Sequence, residues 1–280
     1  MRLASFSFAG RNAYGIVVEG GAIDLSRRFG AGAPSLRAAI AGAGVERMRA
    51  LAEEPADVAT VDIALDLPIP DAAKILCVGR NYRGHVAEGN LKLPEKPSVF
   101  LRARESFAPC GGSLVRPRVS EEFDYEGELA VVIGKPGRHI AREAALGHVF
   151  GYTCLNDGSI RDYQFTHSLI VGKNFYRSGS IGPWIVTADE IPDPAQLCLR
   201  TRLNGVEVQC ASTDDLIFDI PTIISYMSAF IPLDVGDVIA TGTPEGVGFA
   251  RTPPLWMKAG DEIEVEVSGI GVLRNPVVDE

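Results

Sequence analysis

The sequence has no CxxC pair. Its five cysteines (Cys77, Cys110, Cys154, Cys198 and Cys210) are odd in number and scattered. That gives no support to a zinc cage or a dithiol redox centre and points to reduced thiols in a cytoplasmic protein. Histidine is scarce, with four in 280 residues. Basic residues are in deficit: 27 Lys and Arg against 36 Asp and Glu leave a net charge of −9. Such a chain lacks the basic surface that a sequence-blind nucleic-acid binder needs to neutralise phosphates. No apolar run lasts the roughly 20 residues of a membrane helix, because charges, Gly and Pro interrupt each one. Residues 1–12 lack the apolar core of a signal peptide. The glycine-rich segment Gly242-Thr243-Pro244-Glu245-Gly246 matches neither a dinucleotide fingerprint nor a P-loop. The expectation is a cytoplasmic protein with neither nucleic acid nor membrane as partner.

What is present is a mix suited to a core: 46% hydrophobic and 22% charged residues. Alternating β-formers at 4–8 and 14–18, then Glu19-Gly20-Gly21, predict a small meander. Two Ala-rich helices follow, the first capped by Ser35 and the second striped by Val45, Met48 and Leu51. Leu67-Pro68-Ile69-Pro70-Asp71 reads as a linker, which divides the chain into a small N-terminal α/β domain (1–70) and a larger domain (71–280). Beyond the linker, strands are predicted at 75–78, 98–101, 125–133, 151–155, 184–187, 197–203, 238–241 and 262–267. Asn204-Gly205 marks a hairpin. Helices are predicted only near 83–88 and 220–230, with Pro221 suited to a first turn. Many strands with few crossover helices make a β-rich α+β protein and argue against a doubly wound sheet.

The most informative segment runs from Phe123 to Gly134. Its apolar second half is a strand. If the strand is regular, Asp124, Glu126 and Glu128 share one face, spaced by ~6.6 Å per pair of residues. Buried like charges need compensation, and a divalent cation supplies it; the alternative is an exposed strand end whose acids meet water. Asp157 ends another predicted strand, in Asn156-Asp157-Gly158, which on its own reads as a turn. All-carboxylate ligation points to Mg²⁺, Mn²⁺ or Ca²⁺ rather than zinc. On the helix at 83–88, His85 and Glu88 stand three apart and face each other. A carboxylate beside an imidazole fixes its tautomer and suits it to general-base work, although such pairs are also common on exposed helices.

Together these residues resemble the fumarylacetoacetate hydrolase family over residues 74–278. The resemblance rests on Ile75-Leu76-Cys77-Val78-Gly79-Arg80-Asn81-Tyr82 with His85, the acidic strand, Gly151-Tyr152 through Asn156-Asp157, Arg161-Asp162, Gly172-Lys173-Asn174-Phe175, Gly182-Pro183-Trp184, Gly236-Asp237-Val238, Thr241-Gly242-Thr243-Pro244 and Gly260-Asp261. It implies a mixed β-sandwich or β-roll catalytic domain. It implies Mg²⁺, or Mn²⁺ or Ca²⁺, on Glu126, Glu128 and Asp157. His85 with Glu88 becomes a water-activating dyad, and Lys173 the lysine beside the metal. Arg161, Gln164 and Thr243 become substrate contacts, with Lys173 and Arg161 supplying positive charge for an anionic keto acid.

The implied reaction is hydrolysis of a carbon–carbon bond in an acylpyruvate or related 1,3-diketo acid through a metal-bound enolate, in aromatic-compound breakdown. The alternatives on the same scaffold are an isomerase or tautomerase of 2-hydroxymuconate-type acids and an oxaloacetate-type decarboxylase. A non-catalytic metabolite-binding paralogue ranks below them, and a homodimer is the implied assembly. Two departures stand out: Glu245 where relatives often have Gly, and Arg102 where many have Lys. A helix over the site is expected at 159–165.

Overall fold

The computed structural model describes residues 1–90 and 92–280. A 12-stranded mixed sheet carries the chain. Its centre is Gly127–Ile133, flanked on one side by Val149–Asn156 and Gly179–Thr187, and on the other by Val238–Ala240, Ile75–Gly79 and Ser98–Leu101. The apolar run that predicts this central strand is buried on both faces. Leu129, Val131 and Ile133 face one core cluster, while Ala130 and Val132 face another. A five-stranded sheet (Val206–Ser212, Cys198–Leu203, Glu262–Val267, Gly271–Asp279, Leu114–Arg116) covers the first of these faces through Leu199, Val265, Val267 and Leu273. The result is the β-rich α+β protein expected from the strand spacing, arranged as the sandwich that the family resemblance implies.

Residues 1–70 are hydrogen-bonded into the same large sheet. Arg2–Phe8 pairs antiparallel with Gly179–Thr187, and the Met1 ammonium donates to Thr187 Oγ1 at 2.7 Å. The predicted meander is present as Arg2–Phe8, Arg11–Val18 and Gly21–Asp24. Ser35 caps Leu36–Gly42 as expected. At the predicted hairpin Leu203 pairs with Val206, and Asn204 (φ 53°) and Gly205 (φ 78°) both take the left-handed conformation of a type I′ turn.

Three expectations need correction. The acidic strand is not regular. Phe123–Asp124 pairs with Ser159–Ile160 in a separate ribbon, and the long strand begins only at Gly127. Asp124 therefore does not share a face with Glu126 and Glu128. The helix expected at 159–165 starts two residues later, as Arg161–Thr166, because Ser159 and Ile160 belong to that ribbon. The strand at 184–187 is longer than its signal, running Gly179–Thr187, since Gly and Pro in its first half mask the pattern.

Strand polarity positions the site. Gly127–Ile133 and Val149–Asn156 are antiparallel with Gly127 opposite Asn156, so the start of one meets the end of the other. Val238–Ala240 runs antiparallel to Gly127–Ile133 and parallel to Ile75–Gly79, which brings both of their C-terminal ends to the same edge. Four separate loops converge there. Among the described residues no helix is long and apolar enough to cross a membrane.

The helix Ile220–Phe230 packs Ile220, Ile223, Ile224 and Met227 into the core at helical spacing. Asp219 caps it, accepting from Thr222 N at 2.9 Å and pairing with Arg142. Burial works against the Asp219 carboxylate, but the Thr222 hydrogen bonds and Arg142 outweigh it and hold the group below 3.8. Its stabilisation is therefore present at neutral pH and disappears as pH falls through that lowered value. Asp219→Ala should cost about 1 kcal/mol at pH 7. In thermal melts against pH, the gap to wild type should close below about pH 4.

Candidate active site

Glu126, Glu128 and Asp157 meet at the shared edge, all buried, with one carboxylate oxygen from each lying within 4.8 Å of the others. Backbone bonds hold them there. Glu126 N donates to Asn156 Oδ1 at 3.0 Å, and Asp157 N donates to Glu126 O at 2.8 Å. Gly127, between the two glutamates, is gripped on both sides: its N–H donates to Gln209 Oε1 and its carbonyl accepts from Thr243 Oγ1, each at 2.9 Å.

The three carboxylates are not equivalent. Burial opposes the charge on Glu126, yet Lys173 and Arg161 overcome it and hold the group at about 2. Lys173 Nζ donates to Glu126 Oε2 at 2.6 Å and to Asp157 Oδ2 at 2.7 Å. Glu128 has no such cation; among the described residues its one hydrogen-bond donor is Gly242 N, at 2.7 Å. Burial, then Asp157 and Glu126, push it well above the usual carboxylate range. A divalent ion among the three would supply the counter-charge that Glu128 lacks, and the all-oxygen donor set suits Mg²⁺ or Mn²⁺. The residues present thus fit such an ion.

A cavity of about 240 Å³ opens onto this trio. Its lining includes every residue given a catalytic, metal-binding or substrate-binding role from the sequence except Glu88: His85, Glu126, Glu128, Asp157, Arg161, Gln164, Lys173 and Thr243. Glu88 stands directly behind. Its Oε1 lies 2.7 Å from His85 Nδ1, and its Oε2 accepts from Gly246 N at 2.8 Å. That contact assigns the ring proton to Nδ1 and leaves Nε2 as the basic nitrogen.

Arg161 and Thr243 are already engaged by neighbouring groups. Arg161 is not a free positive charge. Its Nε donates to Asp124 at 2.7 Å, and Asp124 is itself fixed by the N–H groups of Tyr125, Gly248 and Phe249. Arg161 Nη1 donates to Gln164 Oε1 at 3.0 Å. Nη2 forms an ion pair with Glu126 Oε1 at 2.7 Å but makes no aligned hydrogen bond to a described residue. The single hydroxyl proton of Thr243 already goes to Gly127 O. Glu245 is exposed and absent from the cavity lining, and it packs over Gly84, where a Cβ would lie 2.0 Å from its Oε2.

Sequence reasoning missed the working parts of Arg102 and Gln209. Arg102 is buried, donating from Nη1 to Asp157 Oδ1 (2.6 Å) and Gly158 O (3.1 Å), and from Nη2 to Ser178 Oγ (2.8 Å). A lysine could not make that fork. Gln209 links the Gly127 backbone to Thr243 and Pro244. It lies on the edge strand of the other sheet, and nothing in its local sequence signals this. Gly158 is more than a turn residue: a Cβ there would lie 1.9 Å from the Ser178 carbonyl.

The family model for the C-terminal part of fumarylacetoacetate (FAA) hydrolase matches residues 74–278. The chain is 41% identical over 220 residues to the mitochondrial oxaloacetate tautomerase fahd2 of Xenopus laevis, covering 78% of this chain and 69% of that protein. It is 41% identical over 221 residues to the oxaloacetate tautomerase YisK of Bacillus subtilis, covering 77% and 73%. A solved structure of maleylpyruvate hydrolase from Sphingobium sp. SYK-6, in complex with manganese(II) ion and pyruvate, superposes with a TM-score of 0.84 at 31% identity, over 100% of this chain and 99% of that one.

The Gly158 contact is testable. Gly158→Ala must displace the Ser178 carbonyl or Asp157, with an overpacking penalty of about 1–3 kcal/mol. Chemical denaturation should show a lower midpoint at unchanged slope; an unaltered midpoint would mean the backbone yields freely.

Proposed function

Because this chain belongs to the fumarylacetoacetate hydrolase family, we propose that it catalyses metal-dependent keto–enol tautomerisation of a short 2-oxo acid, with oxaloacetate as the first candidate. The observation that carries the reading is one small cavity walled by a three-carboxylate cation site and by the His85–Glu88 pair. The named activity of the curated relatives points the same way. At about 240 Å³ the cavity is below the size of drug-binding pockets, which suits a four-to-six-carbon acid.

The geometry supports the following roles. Glu126, Glu128 and Asp157 hold Mg²⁺ or Mn²⁺, which when bound polarises the 2-oxo group and stabilises the charge of the enolate form. Arg102 and Lys173 fix Asp157 from two sides, so the trio keeps its spacing. His85, with Nδ1 held by Glu88, offers Nε2 to take the proton from the carbon beside the ketone and deliver it to the former keto oxygen, giving the enol. Arg161, whose Nη2 makes no aligned hydrogen bond to a described residue, and the amide of Gln164 bind the acid. Phe100, Phe165, Leu169 and Phe249 wall the cavity and limit water.

The hydrolysis of an acylpyruvate is the second reading. The same histidine could pass its base function to a water molecule, and the hydrolase neighbour uses a related acid. The two readings separate by assay. Metal-loaded protein should accelerate the interconversion of enol and keto oxaloacetate, followed by absorbance, and should leave acylpyruvates uncleaved. Cleavage with no tautomerisation would reverse the order. His85→Ala should lower kcat by about 10²–10⁴ while metal affinity, measured by calorimetry, stays close to wild type. Turnover at the wild-type rate in that variant would remove His85 from the reaction.

A further inference from the structure

Three permanent cations line the cavity: Arg80, Arg161 and Lys173. Lys173 is bound to Glu126 and Asp157, and Arg161 to Asp124 and Gln164. Arg80 makes no hydrogen bond or ion pair to any described residue, and it is exposed at the cavity mouth. Its backbone is also unusual, with φ 58°, a left-handed conformation rare for a residue other than glycine. The next residue locks it there. Asn81 Nδ2 donates to Thr241 O at 2.7 Å and to Phe218 O at 3.0 Å, and Asn81 Oδ1 accepts from Phe218 N at 2.8 Å. Asn81 is fully buried. An uncommitted guanidinium on a strained, firmly held backbone is the kind of outlier from which a functional role can be inferred.

Charge bookkeeping of the lining points to the ligand. With Arg161 neutralised by Asp124, the three carboxylates, a dication, Lys173 and the Arg102 bound to Asp157 leave one positive charge, enough for a monoanion. Arg80 makes it two, the charge of a dicarboxylate. We propose that Arg80 is the specificity determinant for dicarboxylic 2-oxo acids, binding the distal carboxylate while the oxo-acid end lies against the Glu126–Glu128–Asp157 site. The proposal rests on the keto-acid reading above and adds to it the class of acid preferred. Because the guanidinium is exposed, its contribution is modest and weakened by salt.

The test uses two acids that cannot enolise, so binding is read without turnover. One is 3,3-dimethyl-2-oxoglutarate, which is not a β-oxo acid and so cannot lose CO2 either; the other is 3,3-dimethyl-2-oxopentanoate, in which a methyl group replaces the distal carboxylate. Calorimetry on the Mg²⁺-loaded protein should show the diacid bound about tenfold more tightly, a preference that shrinks as ionic strength rises. Arg80→Asn removes the charge and keeps a residue tolerant of positive φ; its preference should fall to near unity. Arg80→Lys should recover most of it. A wild-type protein without the preference, or an Arg80→Asn variant that keeps it, overturns the proposal. Failure of the tautomerase reading would appear separately, as wild-type protein that binds these acids but does not interconvert oxaloacetate.

Discussion

Mutual repulsion among Glu126, Glu128 and Asp157 is the constraint around which the rest of the site is arranged. Three carboxylates buried within 4.8 Å of one another are stable only with counter-charge. The chain supplies part of it. Lys173 bridges two of the acids, and Arg102 takes the outer oxygen of Asp157. Among the described residues Glu128 receives only a backbone N–H. The imbalance is local and falls where a divalent ion would sit.

The fold makes that convergence through strand polarity. The central strand starts where its antiparallel neighbour ends, so residues 126, 128 and 157 meet despite their separation in sequence. Parallel and antiparallel partners bring the loops after Ile75–Gly79 and Val238–Ala240 to the same edge. Those loops then tie themselves together. Glu88 accepts from Gly246 N, Asn81 reaches Thr241 O, and Gln209 joins the Gly127 backbone to Thr243. The His85 helix and the acidic trio are therefore parts of one hydrogen-bonded frame.

Much of this was legible in the sequence. The apolar run after Glu128 marks a buried strand, the Asn204-Gly205 pair marks a hairpin of the second sheet, and the spacing of His85 and Glu88 puts them in contact. What escaped depends on long-range contacts. Alternation predicts that Asp124 joins the trio, but a break at Tyr125–Glu126 turns it toward Arg161. That pairing removes Arg161 as a free charge and leaves Arg80 in its place. Arg102 and Gln209 act through residues 55 and 82 positions away, respectively, which no local pattern encodes. The hydrolase and tautomerase readings share the same ligands and the same dyad, so sequence favoured hydrolysis only through His85 and Glu88, while the similarity to named tautomerases favours the other reading.

The claim beneath all of this is that the trio holds a divalent ion. Titration of Mn²⁺ into metal-stripped protein, followed by electron paramagnetic resonance, tests it most directly. The account predicts a single tight site per chain, weakened by more than about a hundredfold in Glu128→Gln and Asp157→Asn, beyond the effect typical of removing an outer-shell partner. Equal Mn²⁺ affinity in wild type and both variants, or no site at all, would contradict it.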